Sequence, residues 1–168
     1  MRDEEGDAPP ATIRKAGRKD IPQILSLIRE LAAFENLADQ VVATEDLLFE
    51  SLFGDAAIAE ALLADVDGDT VGFALFFQTF STFLAQPGIY LEDLFVKPAY
   101  RGRGVGRALL ERVAREAHVR RCGRLEWSVL NWNEPAIRFY DSLGAVAMDE
   151  WTMYRLTSQD IHRLAGTG

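Results

Sequence analysis

The sequence has little of what would mark a disulfide-stapled, metal-binding or membrane-spanning protein. Its 168 residues include one cysteine, Cys122, two histidines, and no apolar run that approaches the ~20 residues of a transmembrane helix. The single cysteine excludes an internal disulfide and favours a reducing compartment, although a secreted protein without disulfides would look the same. His118 and His162 lie too far apart in the sequence to indicate a metal-ligand cluster. We therefore expect a cytoplasmic protein with no metal, no membrane segment and a structural role for Cys122.

Positive charge is also scarce, but it is unevenly placed. The chain has 18 Lys and Arg against 26 Asp and Glu, a net charge of −8, which argues against a general nucleic-acid-binding surface. Residues 97–124 hold nine Lys and Arg and two Asp and Glu, a balance of +7, which leaves −15 for the rest. One segment is thus suited to an anion and the remainder to a cation, although a basic helix face with ordinary acidic solubility would look the same.

The chain divides into three parts by composition. Residues 1–11 are acidic and have neither the basic start nor the apolar stretch of a secretory signal, so we predict a short disordered leader. One folded domain is expected over residues 12–156, followed by a tail over residues 157–168.

Hydrophobic periodicity and turn signals predict an α/β domain. The Asp-Gly-Asp turn at 67–69 joins two strands of a hairpin. Asp20, Thr44 and Asn133 are predicted helix N-caps, and Gly144 is a predicted helix end. The predicted strands are 11–16, 57–66, 70–80, 88–96, 123–130 and 151–156, and the predicted helices are 20–32, 44–52, 104–120 and 133–144. This order suggests one mixed sheet with helices packed on its faces.

The loop after the fourth strand is the most distinctive segment. Residues 101–107, "RGRGVGR", contain three glycines and three arginines directly before a helix. Glycines let the backbone approach a ligand closely, and a helix start offers unpaired N–H groups and the positive end of its dipole. The arginines can add charge-assisted hydrogen bonds. The pattern therefore indicates a diphosphate cradle rather than a simple glycine-rich turn.

Two common phosphate motifs do not fit this loop. The dinucleotide pattern G-x-G-x-x-G fails because Arg107 stands where its third glycine would be, and a P-loop needs Gly-Lys-Ser/Thr. A dinucleotide fingerprint also usually follows the first strand of a βαβ unit, and this loop follows the fourth.

Three stretches together resemble one known family. "RGRGVG" (101–106) matches the pyrophosphate motif Arg/Gln-x-x-Gly-x-Gly/Ala of the GNAT acetyltransferases, and "YLEDLFV" (90–96) and "WNEPAIRFYDSLGA" (132–145) are similar to the spermidine/spermine and thialysine N-acetyltransferase branch. The resemblance covers about residues 12–156. It implies a GNAT fold with one mixed, mostly antiparallel sheet of about six to seven strands and helices on both faces. It also implies acetyl-CoA as co-substrate, a small cationic amine such as a polyamine or thialysine as acceptor, and a homodimer.

The chemistry that the resemblance implies makes demands on particular residues. An alkyl amine has a pKa near ~10 and arrives protonated, so its direct attack on a thioester needs a base. Glu92, in an otherwise apolar strand, is the candidate, with Asp93 expected on the opposite face. Tyr140 is implied as the general acid for the leaving thiolate. The alternatives are an internal arginine or backbone partner for Glu92 and an ordinary half-buried core position for Tyr140.

The resemblance also implies two sets of binding residues. Leu94 N–H is expected to donate to the thioester carbonyl where the sheet opens beside the fourth strand. The implied acetyl-CoA-binding residues are Leu94, Phe95, Val96, Arg101, Gly102, Arg103, Gly104, Val105, Gly106, Arg107, Asn133 and Ala136. The implied amine-binding residues are Phe34, Glu35, Glu92, Asp93, Glu126, Trp127, Ser128, Asp149 and Glu150. Asp149 and Glu150 are approximate equivalents, because residues 144–151 are shorter than the family's segment, and this leaves the acceptor open.

Several of these residues also have simpler explanations. Each acidic residue could serve surface solvation, and Trp127, Trp132 and Trp151 could be core residues rather than walls of an acceptor tunnel. At the level of the whole chain, the alternatives to an amine N-acetyltransferase are a non-catalytic acyl-CoA-binding or sensing domain and a nucleotide-binding regulator.

Overall fold

A computed structural model describes residues 11–166, so all but the last residue of the predicted leader lies outside the described residues. Its strands are β1 (Thr12–Lys15), β2 (Glu60–Val66), β3 (Asp69–Ser81), β4 (Gln86–Val96) and β5 (Arg124–Trp127). Its α-helices are α1 (Ile21–Phe34), α2 (Glu45–Phe53), α3 (Val105–Val119), α4 (Glu134–Ser142) and α5 (Ser158–Leu164). The chain forms two compact units, one ending at Ser128 and one starting at Val129.

The first unit contains a mixed sheet in the order β1-β2-β3-β4-β5. Neighbouring strands are antiparallel from β1 to β4, and β5 joins β4 in parallel. The predicted hairpin turn lies between β2 and β3, where Val66 pairs with Asp69. Sequential strands joined by tight turns pair as neighbours, and the parallel strand β5 requires a crossover, which α3 supplies.

Helices cover both faces of this sheet, as predicted. The alternation of side chains along β3 separates the two faces. Phe73 packs in a core cluster with Ile24 of α1 and Leu52 of α2. Its neighbour Gly72 faces α3, where a Cβ atom would stand 3.4 Å from the Leu109 side chain and 2.7 Å from the Phe95 carbonyl oxygen. Glycine at this position therefore lets α3 pack closely against the centre of the sheet.

The strand count is a correction to the prediction. Six to seven strands were expected, and residues 11–166 contain five. The predicted strand 123–130 is shortened to Arg124–Trp127, and the predicted strand 151–156 is irregular. Its side chains are exposed, including Trp151 at 74% and Tyr154 at 91%. A strand needs a neighbour for its N–H and C=O groups, and the described part of the second unit contains two helices and no strand to provide one.

The helix ends agree with most of the predicted signals. Thr44 accepts a hydrogen bond from Leu47 N–H at the start of α2, and Gly144, with φ +82°, follows the end of α4. Asp20 occupies the N-cap position of α1, but its carboxylate accepts instead from Arg14 and from Gly17 N–H. The predicted tail contains α5, a helix that was not predicted. No described helix is long and apolar enough to cross a membrane.

Candidate active site

The two halves of β4 have different neighbours. Gly88–Leu91, the closed half, pairs with β3 on one side and with β5 on the other, and the parallel ladder ends where Leu91 meets Trp127. Glu92–Val96, the open half, pairs with β3 alone within the first unit's described residues. The sheet thus opens beside the fourth strand, at the place where the resemblance implied it.

A β-bulge marks the boundary between these halves. Leu75 pairs with Asp93 and Phe76 pairs with Leu91, so Glu92 is the extra residue on β4. Bulges interrupt the regular alternation of side chains and re-aim them. The expectation that Glu92 and Asp93 occupy opposite faces rested on strict alternation, and that alternation does not hold at the bulge.

The backbone of the open half directs hydrogen-bonding groups away from β3. Lys97 N–H donates to the Val71 carbonyl at 2.8 Å, which makes Lys97 and Val71 a hydrogen-bonded pair of the ladder. Hydrogen-bonded and non-hydrogen-bonded pairs alternate in an antiparallel ladder. The main-chain groups of Leu94 and Val96 therefore point to the other side, where β5 no longer pairs. This side offers strand-like donors and acceptors to an extended ligand.

The loop after the open half leads directly into the start of α3. Gly102 and Gly104 have φ of +75° and +77°, a left-handed conformation that glycine adopts without steric cost. A Cβ atom at either position would meet no described atom within 4 Å, so the space in front of the loop is open. Gly104 is the N-cap of the 15-residue helix α3, and no described side chain caps it. The N–H groups of the first turn remain available to an anion.

The three arginines of this loop have different environments. Arg103 lies over the ring of Tyr100, 5.3 Å from its centroid, and Arg107 forms an exposed ion pair with Glu111 at 3.8 Å. Arg101 instead donates from Nε to the Val96 carbonyl oxygen at 2.9 Å. All three are predicted acetyl-CoA-binding residues, and the hydrogen bond from Arg101 to the Val96 carbonyl was not foreseen.

Three carboxyl groups interact at the other end of the open half. Burial, together with the negative charges of Glu92 and Glu35, raises the pKa of Asp93 to about 7. Partial burial also raises the pKa of Glu35, which directly follows α1. Glu92 is exposed. The structure thus brings three of the predicted amine-binding residues together, and their negative potential suits a cation.

Two of the predicted amine-binding residues at the end of β5 already have polar partners in the first unit. Glu126 pairs with Arg124 at 2.9 Å, and Ser128 Oγ is 2.7 Å from the Tyr90 hydroxyl. Trp127 is partly buried at the end of the parallel ladder. These contacts fix the end of β5 where the sheet opens.

The other predicted site residues belong to the second unit. Asn133 caps α4 by accepting from Ala136 N–H at 3.4 Å, as the sequence predicted. Tyr140 lies one residue after Phe139 on α4, with ring centroids 5.4 Å apart. Asp149 and Glu150 are exposed in the irregular segment that follows. Among the residues described, no three His, Cys, Asp or Glu side chains form a group that could hold a metal ion.

Comparison with known proteins identifies the family. Residues 25–145 match the model of the acetyltransferase (GNAT) family. The chain is 38% identical to the thialysine N-epsilon-acetyltransferase of Bos taurus, over 92% of this chain and 96% of that protein. It is 34% identical to the L-ornithine N5-acetyltransferase of Arabidopsis thaliana, over 90% and 86% of the two chains.

A solved structure shares the fold. The chain superimposes on an integron cassette protein from the mobile metagenome of V. cholerae with a TM-score of 0.77 and 26% identity, covering 92% of this chain and 97% of that one. The expected GNAT fold is confirmed, with fewer strands than predicted. The chain belongs to the GNAT family and is an N-acetyltransferase.

Proposed function

We propose that this enzyme transfers the acetyl group of acetyl-CoA to a primary amine of a small cationic acceptor. The proposal rests on the continuity of the open half of β4 with a glycine-rich loop and an uncapped helix start. GNAT acetyltransferases use acetyl-CoA, which supplies an acetyl group already activated as a thioester. The similar proteins named above act on thialysine and ornithine, both amines that carry positive charge at neutral pH.

The residues that would hold acetyl-CoA form a continuous track. Leu94 offers both of its main-chain groups and Val96 its N–H group to the extended part of the molecule, since those groups point away from β3. Gly102 and Gly104 leave room for a diphosphate in front of the α3 N-terminus. Leu94 N–H donates to the thioester carbonyl oxygen and stabilises the negative charge that develops there.

On the proposed acceptor side, the carboxyl groups have the charge opposite to that of the amine. Glu35, Glu92 and Asp93 face a cationic amine with negative potential, and an amine with pKa near ~10 must lose a proton before it attacks. Glu92 accepts that proton, directly or through a water molecule, because it is the exposed carboxylate at the bulge. The amine then attacks the thioester directly in a ternary complex, with no acyl-enzyme intermediate.

Tyr140 completes the proton balance. The amine nitrogen forms its bond to the carbonyl carbon as the carbon–sulfur bond breaks, and the departing sulfur needs a proton. The Tyr140 hydroxyl donates it, and the second proton that the nitrogen loses as the amide forms restores the tyrosine hydroxyl. Asn133, one position before α4, holds the start of this helix.

The experiment that tests this function is substitution of the acid. Tyr140→Phe is expected to lower kcat by roughly 10²-fold or more, the usual scale for loss of a general acid, with little change in acetyl-CoA affinity. Thiol release from acetyl-CoA, measured against a panel of thialysine, ornithine, spermidine and neutral amines, gives the rates. Calorimetric titration with CoA gives the affinity.

The matched control is Tyr154→Phe, which removes a hydroxyl from an exposed tyrosine of the same unit. An unchanged kcat in Tyr140→Phe would remove this tyrosine from the mechanism. Absence of turnover with the whole panel, together with tight CoA binding, would point to a binding domain instead. The predicted homodimer and cytoplasmic location also await test, by light scattering and by cell fractionation.

A further inference from the structure

Arg101 is exposed at the surface, but its side chain contacts both the end of β4 and the end of α1. Its Nε atom donates to the Val96 carbonyl oxygen at 2.9 Å. Its guanidinium carbon lies 4.3 Å from the centroid of the Phe34 ring and 5.6 Å from that of Phe95. Burial lowers the pKa of Arg101 from its ordinary value. The guanidinium is therefore packed against aromatic faces and a backbone acceptor.

The partners of Arg101 come from the two sides of the proposed site. Val96 is the last residue of the open half. Its carbonyl points away from β3, toward the region proposed to hold the thioester arm of acetyl-CoA. Phe34 is the last residue of α1 and directly precedes Glu35, one of the three carboxyl residues proposed to bind the amine. One side chain thus joins the end of the open half to the end of α1.

A second contact runs in parallel with this one. Lys97, the first residue after β4, lies 3.7 Å from the Glu30 carboxylate on α1. The loop that leads to the diphosphate cradle is therefore attached to α1 at both of its ends. Movement of the loop would be transmitted to the wall that bears Phe34 and Glu35.

We propose that Arg101 is a positioning residue that couples the acetyl-CoA loop to the amine-binding wall, acting through Val96 and Phe34 rather than by contact with the diphosphate. This rests on the proposed function. The bond from Nε holds the last carbonyl of the open half, and the ring contact fixes the end of α1. Loss of Arg101 therefore loosens both sides of the site together.

A donor without a diphosphate separates this role from phosphate binding. Acetyl-pantetheine keeps the thioester and the amide arm of acetyl-CoA but has no diphosphate. Arg101→Gln is expected to lower kcat/KM by roughly tenfold with both donors, and to raise the KM of the amine, because a charge-assisted hydrogen bond and a cation–π contact are lost. A loss confined to acetyl-CoA would make Arg101 a diphosphate ligand and overturn the proposal.

Two further variants sharpen the result. Arg101→Lys restores the charge but not the planar group or the Nε donor, so it is expected to recover only a small part of the loss. Phe34→Leu keeps apolar volume and removes the aromatic face, and in a double mutant with Arg101→Gln its effect is expected to be less than additive. Full recovery by lysine, or strict additivity with Phe34→Leu, would contradict the coupling.

Arg103→Gln is the control for the loop itself. As a predicted diphosphate contact, Arg103 should matter with acetyl-CoA and not with acetyl-pantetheine. Should Arg103→Gln affect neither donor, the diphosphate assignment of the loop fails while the result for Arg101 stands.

Hydrogen exchange provides a readout that needs no activity. Arg101→Gln is expected to speed amide exchange in peptides covering both the end of α1 and the end of β4. If exchange is unchanged at α1, or changed there only in the presence of CoA, the link between the two sides is absent. This measurement decides the inference even if every amine in the panel proves to be a non-substrate.

Discussion

The closed and open halves of β4 belong to one strand and share one partner, but they differ in what lies on their other side. In the closed half the backbone is used on both edges, by β3 and by β5. In the open half, one edge has no strand paired to it among the first unit's described residues, and this edge continues into the glycine-rich loop. The difference shows how a sheet can open in its middle: a parallel neighbour stops early, and the strand beside it gains a row of donors and acceptors that this neighbour does not pair.

The largest expected effect comes from proline substitutions that delete one N–H in each half. Leu94→Pro removes the N–H proposed to stabilise the developing oxyanion and leaves the ladder to β3 intact, so kcat is expected to fall by roughly 10²–10³-fold. Tyr90→Pro removes an N–H from the closed half, where either edge is paired, so its main effect is on stability, about 1–3 kcal/mol for the partner left unsatisfied. Turnover and urea denaturation of both variants measure the contrast.

Alanine variants at the same positions separate side-chain losses from backbone losses. Leu94 and Tyr90 are both partly buried, which makes the pair a fair match. The turnover and stability of Leu94→Pro are compared with those of Leu94→Ala, and those of Tyr90→Pro with those of Tyr90→Ala. If the two prolines have the same effect on turnover relative to their alanines, the open edge has no special role.

A smaller effect is expected where the open half continues into the loop. Gly104 and Gly68 both have left-handed backbones and open space at the Cβ position, but Gly68 lies in the β2–β3 turn. Alanine at either position is expected to destabilise the fold by a similar amount, about 1–2 kcal/mol, because the conformation is strained. Gly104→Ala is also expected to weaken CoA binding by roughly tenfold, since its methyl group projects into the proposed cradle. Calorimetric titration with CoA and thermal denaturation test both statements.

Equal CoA affinity in the Gly104→Ala and Gly68→Ala proteins would contradict the proposed position of the diphosphate. Equal stability losses with unequal affinity would support it. Comparing these two variants therefore separates a direct effect on CoA binding from an effect of backbone strain.

The sequence was enough to predict most of the helices and strands, because those signals are local. Turn chemistry at 67–69, the caps Thr44 and Asn133, and the apolar periodicity of α3 all act within a few residues. The glycine-rich loop was visible for the same reason. The irregular segment 151–156 shows the limit, since a strand-like sequence becomes a strand only when a neighbour pairs with it.

The features of the site that escaped prediction depend on residues distant in the sequence. The bulge at Glu92 is a property of register between β3 and β4, and no residue type near it signals the shift. The contact of Arg101 with an aromatic ring requires Phe34, 67 positions earlier, to stand beside it. The high pKa of Asp93 requires burial and the nearby charge of Glu35. Motif matching identifies such residues, but only the packed structure shows what surrounds them.

The smallest expected effect concerns the ionisation of Asp93, which lies in the open half of β4. The pKa of Asp93 is raised to about 7, well above the ~3.9 of an unperturbed aspartate, so the folded state binds its proton more tightly than the unfolded state does. Stability is then greatest at low pH and falls as pH rises toward 7, and between pH 6 and 8 the fall is expected to be about 1 kcal/mol. Asp93→Asn is expected to abolish that fall, whereas Asp69→Asn, at the start of β3, should leave it in place. Urea denaturation at pH 6, 7 and 8 gives the three curves.

A cationic acceptor should also change the pH-dependent part of the free energy of unfolding that Asp93 contributes. Ionised Asp93 is disfavoured by burial and by repulsion from Glu92 and Glu35, and an amine bound beside it would relieve that repulsion. Spermidine or ornithine should therefore raise the thermal midpoint of the wild-type protein more at pH 8 than at pH 6, and the difference should disappear in Asp93→Asn. An equal shift at both pH values would mean that the acceptor binds away from Asp93, and the open half of β4 would then serve acetyl-CoA alone.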